Sequence, residues 1–211
     1  MTCAWCGGPL PPDARADSRF CSRACRQSAY RLRKRAPNAL ELASKAARLA
    51  YADPPYPGRA WRYYGREATY AGEVDHAALI ARLGAQYDGW ALSTAEDALR
   101  RLLPLCPERA FIAPWVKPIG ASPNTSGRHN TWEPVIVVPA RALKPGVRDW
   151  LLAQPARGGG TLPGRKPLAF AEWVFRLLGA CRGDSLDDLY PGTGIMGRAF
   201  LELYGPELAT S

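Results

Sequence analysis

Residues 184–205 read DSLDDLYPGTGIMGRAFLELYG, and this stretch decides how the chain is read. It has the form of a strand, a glycine turn and a helix, with Gly192 and Gly194 between the two elements. Glycine lets backbone approach a ligand closely. The first N–H groups of the following helix have no partner within the helix and can receive a carboxylate or a phosphate. A Gly-x-Gly turn is also what any tight strand-to-helix connection uses, so a second signal is needed.

That signal is YADPPYPG, residues 51–58, which follows the apolar run ARLAYA. Proline cannot donate to a sheet ladder, so a strand reaching Pro54-Pro55 stops there. An acid, Asp53, is thereby held rigidly beside an aromatic ring, Tyr56. Between the two stretches the pattern alternates. VDHAALIARLGA (74–85) is an amphipathic helix with Asp75 as N-cap, and YDGWALS (87–93) is a strand. TAEDALRRLLPLC (94–106) is a helix capped by Ser93 or Thr94. ERAFIAPWVKP (108–118) and WEPVIVVPA (132–140) are strands, and PLAFAEWVFRLLGA (167–180) is a helix. Strands alternating with helices predict a doubly wound α/β sheet.

The two stretches together resemble the amino-methyltransferases that use S-adenosylmethionine. DPPY at Asp53, Pro54, Pro55 and Tyr56 matches their catalytic motif. DLYPGTG matches their cofactor motif, through Asp188, Tyr190, Pro191, Gly192, Thr193 and Gly194. RKPLAF around Lys166 resembles the Lys-Pro motif that opens their cofactor-covering helix. The order, catalytic motif first and cofactor motif last, is that of the permuted β-class. WVKP and WEPVIVV, with Trp115, Lys117, Arg128 and Glu133, further resemble the N6-adenosine methyltransferase-like branch. The resemblance covers residues 47 to 204.

The resemblance implies a fold, a cofactor and a mechanism. The fold would be a Rossmann-like methyltransferase sheet with helices on both faces. S-Adenosylmethionine would be held by Asp188, the glycine turn, Lys166 and Asp53. The Asp53 carboxylate and the Pro54 carbonyl would accept the two hydrogens of an exocyclic amine and aim its lone pair, with Tyr56 stacked on the base. Such catalysis is positioning and electrostatics, and it requires a base that is flipped out or single-stranded. In the resembled family the acid of DPPY favours adenine N6 over cytosine N4, and DNA is the favoured polymer. An RNA N6-adenosine or an N4-cytosine enzyme, and an inactive member that binds nucleic acid through the zinc module, stay open as alternatives. Family members continue after the glycine-turn helix into a strand ending in an acid for the cofactor ribose. Here the sequence runs to ELYGPELATS, and Glu202 inside the helix is a poor substitute.

Ahead of this region lies a different module. Four of the six cysteines fall within the first 25 residues, as Cys3-x2-Cys6-x14-Cys21-x3-Cys25. Two paired knuckles of this spacing suit one tetrahedral Zn²⁺, and RFCSRACRQSAYRLRKR resembles FCS-type and treble-clef-like zinc ribbons. Cys106 and Cys181 stand alone and read as buried small hydrophobes. The net charge is +9, which points to a polyanionic partner. The helix after the second knuckle concentrates it in Arg23, Arg26, Arg31, Arg33, Lys34 and Arg35, with Tyr30 among them. Arg59, Trp61, Arg62 and Tyr63 interleave cations and aromatics beside the catalytic motif, and Lys117 and Arg128 are candidate pocket residues. His76 and His129 read as solvated. The domain reading is a zinc module over 1–36, a linker over 37–46 and a methyltransferase domain over 47–211. The linker is expected to keep the two cores separate. No stretch of eighteen apolar residues occurs and no signal pattern opens the chain, so a cytoplasmic protein is expected.

Overall fold

The computed structural model describes residues 3, 5–6, 8–12, 14–15, 18–34, 45–61, 72–118, 129–156 and 165–205, the side chains of 31–34 excepted. Six strands form one sheet: β1 (Arg48–Ala52), β2 (Gly89–Ser93), β3 (Phe111–Val116), β4 (Trp132–Val138), β5 (Leu151–Leu152) and β6 (Ser185–Asp188). Their spatial order is β5-β3-β4-β2-β1-β6. β1 runs parallel to both of its neighbours, whereas β4 is antiparallel to β2 and β3. The described helices are α1 (Arg23–Lys34), α2 (His76–Gln86), α3 (Leu99–Leu102), α4 (Leu168–Leu178) and α5 (Ile195–Tyr204).

The strands are apolar at consecutive positions because both faces of the sheet are covered. Side chains alternate across a strand, and the alternation sorts the core into two layers. Leu49 and Tyr51 of β1, Ala91 of β2, and Val135 and Val137 of β4 meet α4 and α5, where Phe170, Phe175, Phe200 and Leu203 are buried. Ala50, Ala52, Trp90, Leu92, Ile136 and Val138 meet Leu79, Ile80 and Leu83 of α2 on the other face. This is the expected Rossmann-like α/β sheet with helices on both faces. Among the described residues no helix is long and apolar enough to cross a membrane.

Local details agree with the sequence, with three corrections. β1 stops at Ala52, immediately before the Asp-Pro-Pro run. Asp75 caps α2, its carboxylate accepting from the Ala78 N–H at 2.9 Å. The segment 94–106, however, is a broken helix: a 3-10 turn at Glu96–Ala98, the single turn α3, and another 3-10 turn at Leu103–Leu105. Pro104 has no N–H for a continuing helical ladder. Neither Ser93 nor Thr94 caps it. The Ser93 hydroxyl is buried against the Tyr51 hydroxyl at 2.8 Å, and the Thr94 N–H extends the sheet by donating to the Pro134 carbonyl. The two-residue strand β5 has no sequence signal of its own. His76, expected in solvent, is buried, with Nδ1 2.9 Å from the Val74 carbonyl.

A buried carboxylate ties the elements together at the end of the sheet opposite the Asp-Pro-Pro turn. Asp184, just before β6, accepts from the Ala47 N–H and the Cys181 N–H, each at 2.8 Å. Arg141 adds a two-pronged contact at 2.7 and 3.0 Å and also donates to the Gly179 carbonyl that ends α4. All four donors point at one side chain with no exposed surface, so removing it leaves them unpaired. Asp184→Ala is expected to lower unfolding free energy by about 3–5 kcal/mol, measured by denaturant unfolding, while Asp88→Ala on the exposed surface should cost far less.

Candidate active site

The parallel pairing of β1 with β6 sets Tyr51 opposite Asp188, and the Leu189 N–H extends the ladder to the Tyr51 carbonyl at 2.9 Å. Both strands point the same way. The turn that follows β1, carrying Asp53 to Tyr56, and the turn that follows β6, carrying Tyr190 to Gly194, therefore leave the sheet side by side. Ligands of open α/β sheets bind at this carboxyl edge. Pro54 is buried, and Pro55 and Tyr56 are half-buried.

Asp53 belongs to a chain of four charges. Lys166 places its ammonium 3.0 Å from Asp53 Oδ2 and 2.5 Å from Glu133 Oε1. The second oxygen of Glu133 takes Lys117 Nζ at 2.9 Å. The ring of Trp115 underlies both cations, 5.4 Å from Lys166 Nζ and 4.6 Å from Lys117 Nζ. Burial disfavours the charge on Glu133, yet the two lysines hold it below the usual carboxylate range. Burial likewise opposes the charge on Lys166, but the Asp53 and Glu133 carboxylates outweigh it and keep the ammonium protonated. Asp53 has one cation instead of two. Burial raises its pKa first, Glu133 adds to the rise, and Lys166 opposes it. Asp53 is thus a more basic carboxylate than an ordinary aspartate, with one oxygen engaged by Lys166.

The network joins two of the expected site residues. Lys166, expected at the cofactor, has its ammonium between Asp53 and Glu133. Lys117, a candidate pocket and nucleic-acid residue, is bound to Glu133 with its side chain 17% exposed. The sequence did carry a signal for the network: Glu133 is the lone acid in the apolar run WEPVIVV, and a buried charge needs a partner.

On the β6 side, both oxygens of Asp188 are buried with no well-aligned hydrogen bond and, among the described residues, no ion pair, the N–H groups of Tyr190 and Gly197 being near but poorly aligned. Burial and, second, the charge of Asp53 push this carboxyl up to about 6, while the N–H groups of Tyr190 and Gly197 pull it down. Gly192 has φ +48, and a Cβ there would touch a single neighbour, the Tyr190 carbonyl oxygen at 3.9 Å. Gly194 is the N-cap of α5, with φ +69 and no capping side chain. A buried carboxylate without an ion pair, a glycine with one near neighbour and an uncapped helix form a cradle for a molecule with a cationic group, and they fit the methionine end of S-adenosylmethionine. Pro191 is exposed and Thr193 half-buried on the same turn.

The candidate nucleic-acid residues divide. Arg26 and Tyr30 are exposed on α1. Arg31, Arg33 and Lys34 lie on α1, but their side chains are outside the described residues, as are Arg35, Arg62, Tyr63 and Arg128 altogether. Arg59 pairs with Asp97 at 2.7 Å and lies 5.9 Å from the Tyr56 ring centre. Glu73 accepts from the N–H groups of Gly58 and Trp61, fixing the turn that follows DPPY.

Cys3, Cys6, Cys21 and Cys25 bring their sulfurs within 4.8 Å of one another. Thiolates about 2.3 Å from one tetrahedral zinc would lie roughly 3.8 Å apart, so the cluster fits a single ion. The Ser22 hydroxyl accepts from the Cys25 N–H at 3.1 Å and opens α1 beside the ligands. The module has little interior of its own, and Trp5, between the first two cysteines, packs against the α4–α5 side of the main core. α1 lies against α5, so the two cores are in contact and not separate as expected. Purified protein is expected to hold one zinc per chain by elemental analysis. Cys21→Ser should abolish it and also lower the melting temperature of the main domain.

No family model matches the chain, and no curated protein matches it. Among solved structures, the crystal structure of the M1.HpyAVI-SAM complex aligns over 83% of this chain and 86% of that one, with a TM-score of 0.50 and 17% identity. At that identity the likeness is one of fold: this chain has the Rossmann-like architecture of a protein crystallised with SAM.

Proposed function

We propose that the chain is an S-adenosylmethionine-dependent methyltransferase acting on the exocyclic N6 amine of adenine in nucleic acid, with DNA favoured over RNA. The observation that carries this reading is the register of β1 and β6, which sets the Asp-Pro-Pro-Tyr turn beside a buried aspartate without an ion pair and a glycine turn. The fold likeness to a SAM complex supports it. Bound S-adenosylmethionine would supply an electrophilic methyl group. Asp188 would hold its ammonium and the amides of the glycine turn its carboxylate.

The chain's own residues would prepare the amine. Lys166 takes Oδ2 of Asp53, leaving Oδ1 to accept one amine hydrogen while the Pro54 carbonyl accepts the other. This geometry localises the nitrogen lone pair and aims it at the methyl group. The raised basicity of Asp53 strengthens its acceptance of the hydrogen bond and suits it to receive the proton released on methylation. Tyr56 would stack on the extruded base, contributing about 1–3 kcal/mol. The exposed cations of α1 would track the phosphate backbone, and the zinc would be structural.

Incubation with isotopically labelled cofactor and mixed DNA and RNA, followed by nucleoside analysis, tests the proposal. N6-methyladenine in DNA is expected. Label only in RNA would make the chain an RNA enzyme, and label in neither would count against catalysis. Asp53→Ala should lower turnover by at least about a hundredfold, the range of one transition-state hydrogen-bonding group, with cofactor affinity nearly unchanged. A variant with near-normal turnover would remove Asp53 from the mechanism.

The titration of Asp188 predicts a pH profile. Above about pH 6 its carboxyl is ionised and ready for an ammonium. Below that value it is protonated in the free protein, and binding must expel the proton. Affinity for S-adenosylhomocysteine should be flat above pH 7 and fall about tenfold per unit well below 6. Asp188→Asn should bind more weakly with a flattened profile, both read by calorimetry.

A further inference from the structure

Arg198 sits in the first turn of α5, four residues after its N-cap Gly194. A cation there faces the positive end of the helix dipole and is disfavoured. Glu202 lies one turn further on, at the spacing where an arginine and an acid can pair along a helix. Arg198 turns the other way. Its side chain runs back toward the helix start, as long helical side chains do, and Nη1 comes within 2.9 Å of where a Cβ would sit on Gly194. Among the described residues the guanidinium forms no ion pair, and its Nε is buried without a hydrogen-bond partner.

Asp188 borders the same turn from the sheet side, its two oxygens also buried. The two opposite charges flank one turn, are not paired with each other, and among the described residues neither has an ionic partner. A buried polar atom without a hydrogen bond costs about 1–3 kcal/mol; the Arg198 Nε is such an atom and Asp188 has no counter-charge, so the two around one cradle call for a common ligand. A molecule that answers both carries an ammonium and a carboxylate on adjacent positions, which describes an α-amino acid end.

Resting on the cofactor reading above, we propose that Arg198 is a positioning residue that grips the carboxylate of the cofactor's amino-acid end, opposite the ammonium held by Asp188. The planar fork suits a carboxylate, and the uncapped amides of α5 reinforce it. Closing the guanidinium on that carboxylate would fix the rotation of the methionine chain and hence the direction of its sulfonium methyl.

The test compares two ligands that share the adenosine thioether but differ in the amino-acid end. Calorimetry would measure S-adenosylhomocysteine and 5′-methylthioadenosine binding to wild type, Arg198→Met and Arg198→Lys, with melting curves on each protein. For Arg198→Met, S-adenosylhomocysteine should bind about ten- to a hundredfold more weakly, the range of a hydrogen bond to a charged group. Methylthioadenosine, which lacks the carboxylate, should bind all three proteins alike. Arg198→Lys keeps the charge without the fork and should show a smaller loss, so it carries the comparison if the methionine variant melts early. Unchanged S-adenosylhomocysteine affinity, or an equal loss for both ligands, overturns the role of Arg198 while leaving the cofactor reading intact. Wild type that binds neither ligand overturns the cofactor reading and this inference together.

Discussion

Tyr51 stands opposite Asp188 in the parallel pairing of β1 and β6, and the arrangement of the site follows from that register. The two strands are more than a hundred residues apart in sequence. A one-residue slip would turn every side chain of β6 to the other face, and the glycine turn would leave the sheet displaced from the Asp-Pro-Pro-Tyr turn. The buried Asp184 hub guards the register from the other end, because it fixes the start of both strands through the Ala47 N–H and the Arg141 fork. One end of the sheet is thus locked by a charge with four donors, and the other carries a buried charge with no ion pair among the described residues. Stability and the proposed ligand binding are divided between opposite ends of the same strands.

The Asp53–Lys166–Glu133–Lys117 chain solves a local electrostatic problem. Two carboxylates and two ammoniums sum to zero, so the cluster can lie against Trp115 and Phe170 without stranding net charge. The sharing is uneven. Glu133 holds two cations, Asp53 holds one, and the less satisfied carboxylate is the one on the half-buried turn. A buried ion pair contributes little to net stability beside a well-packed apolar substitute. Here it fixes the orientation of an acid at the mouth of the site, and the reactivity proposed for Asp53 depends on Lys166 taking only one of its oxygens.

Much of this was legible in the sequence, for physical reasons. Strand β1 announced itself because fully covered strands are apolar at every position and because Pro54-Pro55 must end one. The glycine turn was legible because glycine alone adopts the backbone of Gly192 and Gly194 without strain. The cysteine spacing was legible because two short-spaced pairs converge into one four-sulfur cluster. Less visible were interactions between distant segments: Lys166 on Glu133, Arg141 on Asp184 and Trp5 on the core. Each joins positions whose local patterns carry no record of one another. The broken helix at 94–106 was misread because the tertiary ladder from Pro134 and the Tyr51 hydroxyl claimed the two residues that would otherwise have capped it.

The seating of Trp5 has a bearing on how the N-terminal module can be studied. A tryptophan lodged against the α4–α5 layer, with α1 lying along α5, shields apolar surface of the main domain from water. Cutting the module away would uncover that surface and leave a greasy patch beside the helix that follows the glycine turn, a recipe for self-association. Loss of nucleic-acid binding in such a truncated chain would then mix missing cations with clumped protein. Reversing the charge of Arg26 or its neighbours on α1, with Trp5 left in place, separates the two effects.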